Sequence, residues 1–364
     1  MRLHDLAGLL RLSPSAEVPG HTDAADAPLR VAVECAGAVL EWSREAASGT
    51  LPMLTLLDLD DAHWLWQLIG DSAHARLLET AAHRAGLPAG GAELDIELND
   101  ELLLRLHRFA HGLWLRSWWP ASTLDGIPVL DAALLDAELA ALADELDDVL
   151  LDGGDDQTSL LLARSSPIEY ARLAHSSEPE IARFAASALD ALGYSLEEFS
   201  PAEVAERADY ALAAGARTTP NEGMIAGFAE PNWQAVPAGL IDASERAVGW
   251  TLDIGGDVQL QVQAQLLPGG ERLVAGIPVT VRGGGNDLGR GLLDAQGSAA
   301  LHLDLSAAEA WLLTAEDLRV RLGYGAATEP PQLRDRIRTL AATRMRAEDA
   351  LTLAAEREVA ARDY

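Results

Sequence analysis

A two-part protein, helical first and β-rich second, is what this sequence predicts. Two observations carry that expectation. Between residues 29 and 215 the apolar side chains recur at helical spacing, whereas beyond about residue 245 they alternate every second position. A stretch rich in Gly, Pro, Asn and Thr, residues 216–245, separates the two patterns. The expected architecture is an irregular arm over 1–28, an acidic all-α domain over 29–225, a small antiparallel β-sandwich over 226–329 and a C-terminal amphipathic helix over 330–364. A chain of 364 residues is long enough for two such cores.

The first residues, MRLHDLAGLLRL, form a short amphipathic start without the unbroken apolar run of a signal peptide. Leu29 to Ala47 reads as a helix closed by Ser48-Gly49, Leu51 to Leu59 is ambiguous, and Asp60 or Asp61 and then Asp71 open further helices. Gly70-Asp71-Ser72 echoes the nucleophile block of GDS-type hydrolases. A late Asp-x-x-His pair is missing, so Ser72 reads as an ordinary first-turn serine.

The central helix is bounded by Asn99, a good N-cap, and by Pro120. Leu102, Leu106, Phe109 and Leu113 recur at helical spacing and Leu103, Leu104, Ala110, Trp114, Leu115 and Trp118 widen the apolar face, which places this helix in a core. Glu101, Arg105, Arg108 and Arg116 fall on one narrow stripe. His107 and His111 stand at i and i+4, the spacing that puts two imidazoles on one face as metal-binding helices require. No third ligand is evident and no intervening Glu of the HExxH kind is present, so the expectation is a metal-free pair bordering the core.

Asp131 to Leu151 carries an apolar seam of Leu135, Leu139, Leu142, Leu146 and Val149, with acids on the other faces, and is the natural antiparallel partner of the Arg-striped helix. Asp152-Gly-Gly-Asp155-Asp156 lacks the alternating acids of an EF-hand and reads as a solvated turn. Ser166, Ser177 and Ser200 each begin an S-x-x-E capping box, with Gly193 and Gly215 as stops. The echo between 166–172 and 177–183 resembles a helical hairpin of HEAT-like repeats.

In the second region Val258, Leu260, Val262, Ala264 and Leu266 alternate with four glutamines. Leu301, Leu303 and Leu305 alternate with His302 and Asp304, and Leu318, Val320 and Leu322 with Arg319 and Arg321. Gly/Pro turns divide about six or seven short strands, the pattern of a sandwich with one wet face. Ser306-Ala-Ala-Glu309 caps a short helix before the last strand. Pro331 to Tyr364 reads as one long helix with Leu333, Ile337, Leu340, Ala347, Leu351 and Ala354 on a heptad-like stripe, interrupted by Arg344.

Composition narrows function. The formal net charge is −30, which disfavours sequence-independent binding to nucleic acid or to anionic membranes. All 27 basic residues are arginine. The absence of lysine excludes a Walker A lysine, a kinase strand lysine and Schiff-base chemistry, and fits a GC-rich genome. A single cysteine, Cys35, excludes an internal disulfide and a cysteine-cluster metal site, and suits a cytoplasmic protein. No cofactor is implied. The favoured reading is a non-enzymatic interaction or adaptor subunit of a cytoplasmic bacterial complex, whose partner is another protein. Its candidate contact residues are Leu333, Arg334, Ile337, Arg338, Leu340 and Leu351 in the tail. The alternatives are a metal-assisted hydrolase using His107 and His111, and an accessory component of a bacterial defence or signalling system.

Overall fold

The computed structural model describes residues 1–6, 8–14, 28–45, 50–83, 87–88, 91–151, 153–199, 224–254, 257–268, 273–323 and 329–361. Two compact units are present, one of residues 1–116, 131–204 and 343–363, the other of residues 117–130 and 205–342. The expected capping box at Ser200, the stop at Gly215 and the start of the Gly/Pro-rich boundary lie outside the described residues.

The first unit overturns the expectation of an N-terminal all-α domain, because strands come first. Strands β1 (Arg2–Leu6), β2 (Leu9–Ser13), β3 (Arg30–Cys35), β4 (Ala38–Ser43), β5 (Met53–Leu56) and β6 (Ala92–Glu93) form an antiparallel sheet in the order β3-β4-β5-β2-β1-β6. The stretch read as a helix from Leu29 is the β3–β4 hairpin. Val31, Val33 and Cys35 point inward on one strand and Ala38, Leu40 and Trp42 on the other, so the period is two on each side of a turn. Ala36-Gly37 makes that turn in two residues. Gly37 has φ +68°, and a Cβ there would collide with the Asp58 carbonyl oxygen, so glycine is required. Ala, Glu and Leu are good helix formers, and a turn this short leaves the apolar pattern looking continuous. Residues 2–13, read as part of an irregular arm, are likewise a hairpin, with Leu3, Leu10 and Leu12 buried.

Among the described residues seven α-helices follow or interrupt the sheet: α1 (Leu65–Ile69), α2 (Asp71–Ala82), α3 (Asp100–Trp118), α4 (Ala132–Asp144), α5 (Gly153–Leu162), α6 (Pro167–Ala174) and α7 (Pro179–Ala191). Asn99 caps α3, its Oδ1 accepting from the Leu102 amide at 3.2 Å, and Asp131 caps α4 through the Leu134 amide at 3.1 Å. Ser166 and Glu169 make a reciprocal box at α6. At α7 the start differs from the expected Ser177 box: Ser176 accepts from the Glu178 amide at 3.2 Å and Pro179 opens the helix. The segment read as a solvated turn after Asp152 is the first turn of α5. Helix α4 packs against α5 and α7.

The second unit holds strands β7 (Met224–Ala229), β8 (Val248–Asp253), β9 (Gln259–Ala264), β10 (Pro278–Gly283), β11 (Asn286–Leu292), β12 (Ser298–His302) and β13 (Leu318–Leu322), with a one-turn helix α8 (Ala307–Ala310). They form two antiparallel sheets, β12-β9-β8-β7 and β11-β10-β13. Trp250, Leu252, Leu260 and Val262 of one sheet share a core with Val279, Val281, Val320 and Leu322 of the other. The alternating glutamines of β9 face outward, where Gln263 Oε1 accepts from the Ser298 hydroxyl at 2.5 Å. Gly284 and Gly285, both with positive φ, close the β10–β11 hairpin.

The tail, expected as one long helix, is two: α9 (Pro331–Arg344) and α10 (Ala354–Ala361). The break falls at Arg344, the residue that interrupts the apolar stripe. Among the described residues no helix is long and apolar enough to cross a membrane.

Candidate functional site

Helix α3 gathers polar groups inside the first unit that sequence alone assigns to separate roles. Its histidines are both buried, His111 fully and His107 at 3% exposure. His107 stacks on Trp42 of β4, ring centroids 4.5 Å apart and nearly parallel. One turn on, His111 Nε2 stands 3.0 Å from Glu356 Oε2 of α10. Glu356 is also held by Arg344, whose Nε donates to Oε1 at 2.7 Å and whose Nη2 donates to Oε2 at 3.1 Å. The guanidinium further donates from Nη1 to both Asp349 oxygens, at 3.0 and 2.9 Å, and from Nη2 to Thr352 Oγ1 at 3.1 Å. This explains the break in the tail: Arg344 turns inward to two carboxylates, and the chain between them cannot stay helical.

A second clasp lies beside the first. Glu138 of α4, fully buried, accepts from the Ala354 amide at 2.7 Å and from Arg108 Nη2 at 2.8 Å. It thereby supplies an acceptor to the first turn of α10, where backbone amides lack helical partners. The Arg stripe of α3 meets α4 as its charges imply, through Arg105–Glu145 at 3.4 Å, Arg108–Glu138 at 2.8 Å and Arg116–Asp136 at 2.7 Å. The descending partner numbers make the helices antiparallel. Asp136 and Glu138 differ from the solvated acids the sequence suggests, because both are buried.

Burial sets the electrostatics. It pushes the imidazoles of His107 and His111 down to about 4, with Arg44 adding to the effect, so both rings are neutral near pH 7. A neutral His111 facing a carboxylate carries its proton on Nε2. Burial raises the Glu138 carboxyl to about 7 and the Asp136 carboxyl to about 6, against the pull of their arginines. It would raise Glu356 too, but His111 and Arg344 hold that group well below the usual carboxylate range. Arg44, also buried, lies 5.2 Å over the Trp114 ring.

The tail residues singled out in the sequence separate into two places. In the second unit Arg334, 2% exposed, ion-pairs with Glu329 at 2.8 Å and with Glu230. Arg338 pairs with Asp125 at 3.3 Å and donates to the Ala243 carbonyl at 3.0 Å. Both guanidinium groups lie over Trp233, at 5.0 and 5.4 Å. Leu333 and Ile337 are buried and Leu340 is half-buried. Leu351 is buried in the first unit. Glu356, Asp349 and Thr352 drew no attention in the sequence, and Glu138 only as one acid of an acid-rich helix. The signal that could have found them is the charged Arg344 on an apolar stripe, which demands an anionic partner.

A cleft of about 230 Å³ opens elsewhere in the first unit, lined by Gln67, Asn99, Arg105, Glu145 and Asp148 among others. Arg105 spans it between Glu101 and Glu145. Among the described residues no group of three or more His, Cys, Asp and Glu is placed to hold a metal ion. Comparison with family models, with curated proteins and with solved structures finds no match for this chain.

Proposed function

We propose that this chain is a non-catalytic interaction subunit of a cytoplasmic bacterial complex. One observation carries the choice: the cluster of His111 on α3, Arg344 at the end of α9 and Glu356 on α10 is enclosed, and its carboxylate is held by both His111 and Arg344. A general base must reach the proton it removes, directly or through one water. His111 lies within the core with its Nε2 turned to Glu356, and His107 is covered by Trp42. Thr352, the hydroxyl within the same cluster, is bound between Arg344 and Asp349 rather than by an imidazole. The chemistry-bearing groups therefore do structural work, and what the chain offers to its surroundings is surface. The strongly acidic balance of that surface favours protein partners over nucleic acid.

Affinity isolation of the intact protein from its source cells tests this. The expected result is a stoichiometric protein complex that survives His111→Gln. A monomer that hydrolyses an ester, phosphoester or peptide substrate, and loses that activity in His107→Ala or His111→Ala, would overturn it in favour of the hydrolase.

A further inference from the structure

We infer that the loop carrying Trp311 and Leu312 in the second unit is a docking knob for a partner protein, entering an apolar socket rimmed by arginine or lysine. The inference rests on the interaction reading above and gives it a surface.

Trp311 is 67% exposed and Leu312 83% exposed, adjacent residues in a segment whose neighbours are anchored. Ala310 is fully buried, and Leu305, Leu313 and Ala315 pack against the sandwich core. The loop is fixed by a capping box at each end. Glu309 Oε2 accepts from the Ser306 amide and hydroxyl at 2.9 and 2.6 Å, and Asp317 Oδ2 accepts from the Thr314 amide and hydroxyl, both at 2.8 Å. Between them the amides of residues 310 to 313 all donate to backbone carbonyls, at 3.0, 3.0, 3.1 and 3.2 Å. Two large apolar side chains held outward on a preorganised turn cost little ordering on binding, the property that makes tryptophan a frequent interface anchor.

Charge identifies the occupant. From residue 304 to residue 317 the chain carries Asp304, Glu309, Glu316 and Asp317, all exposed, and no basic residue. An anionic bilayer is repelled by such an acidic segment, and a second copy would set acid against acid. A protein with an apolar socket and a basic rim matches both features.

The test places a photo-crosslinking amino acid at Leu312, and in a control chain at Leu160, which is 64% exposed on α5. Full-length protein is irradiated in its source cells, the protein joined at 312 is identified and purified, and binding is measured by calorimetry. The expected result is a protein adduct specific to position 312, joined at apolar residues beside Arg or Lys. Its affinity should fall about 30-fold or more in Trp311→Ser, the weakening that defines an interface hot spot. Binding should also weaken with salt and with Glu316→Arg. Trp311→Ser should leave the melting temperature unchanged, since the side chain is exposed. Overturning results are an adduct with lipid or a second copy, the same adducts from both positions, no adduct, or a Trp311→Ser affinity within about threefold of the native value. A partner recovered by affinity isolation but not joined at 312 would refute this surface and leave the interaction reading standing. No partner by either route would remove both.

Discussion

Removing the Glu356 carboxylate is the sharpest perturbation of the first unit. Glu356 accepts from His111, twice from Arg344 and, at 3.0 Å, from the Leu353 amide. In Glu356→Ala, Arg344 keeps Asp349 and Thr352, but a guanidinium 8% exposed loses the closer of its two carboxylates. Stripping one partner from a buried ion pair costs about 3–5 kcal/mol, because the remaining charge stays desolvated. Glu356→Gln keeps the side chain's shape and an acceptor oxygen, so its cost should be smaller, about 1–3 kcal/mol. Urea titration followed by tryptophan fluorescence measures both, and hydrogen exchange of α10 amides localises the effect. A loss below about 1 kcal/mol in Glu356→Ala, with α10 exchanging no faster than in the native chain, would refute the view that this network holds the tail.

Other expectations are as direct. Trp114→Ala should destabilise the unit by about 3–5 kcal/mol in denaturant titration, since the ring is buried and its Nε1 donates to the Pro28 carbonyl at 2.6 Å. Gly37→Ala should cost at least about 2 kcal/mol by the same measurement, through the positive φ and the contact with the Asp58 carbonyl. Acidity gives a further check. Glu138 and Asp136, raised by burial, stabilise the fold below their ordinary carboxyl values and lose that contribution as pH rises through about 6 to 7. His107 and His111, lowered by burial, stabilise it above 6.5 and lose that contribution as pH falls through about 4. The two effects oppose between pH 5 and 6, so native stability should be nearly flat there. In His111→Gln it should fall with rising pH by about 1 kcal/mol per unit, measured by denaturant titration at stepped pH.

The parts of the fold that the sequence displays are those governed by local rules. Asn99, Asp131 and Ser166 announce helix starts because a cap needs only its own first turn. Gln259, Gln261 and Gln263 announce a strand with one wet face because the alternation is complete within six residues. The N-terminal sheet is hidden for the opposite reason. Val31, Val33 and Cys35 answer Ala38, Leu40 and Trp42 across a two-residue turn, so a window wider than one strand averages two opposed patterns into a helical-looking whole. The buried cluster is less legible still, since Glu138 and Glu356 lie 218 positions apart and meet only through α10. Each looks locally like an exposed acid on a helix.

That cluster also explains why a charged network sits where apolar residues would serve. Leu351, Leu353, Ala355 and Val359 supply the apolar contact of the tail, but small aliphatic side chains discriminate poorly between one docking register and its neighbours. Gly112 of α3 sharpens the fit only in part, leaving room for the Leu139 and Leu353 side chains at its face. Polar groups discriminate strongly, because a misplaced buried donor or carboxylate loses its partner outright. Glu356 meets both His111 and Arg344 in one register, and in that register the Ala354 amide also reaches Glu138. A slip of one turn would part Glu356 from His111 and take the Ala354 amide away from Glu138, while Arg108 keeps Glu138 and Asp349 keeps Arg344. The network thus contributes little net stability over a well-packed apolar substitute, yet penalises a register that parts Glu356 from His111.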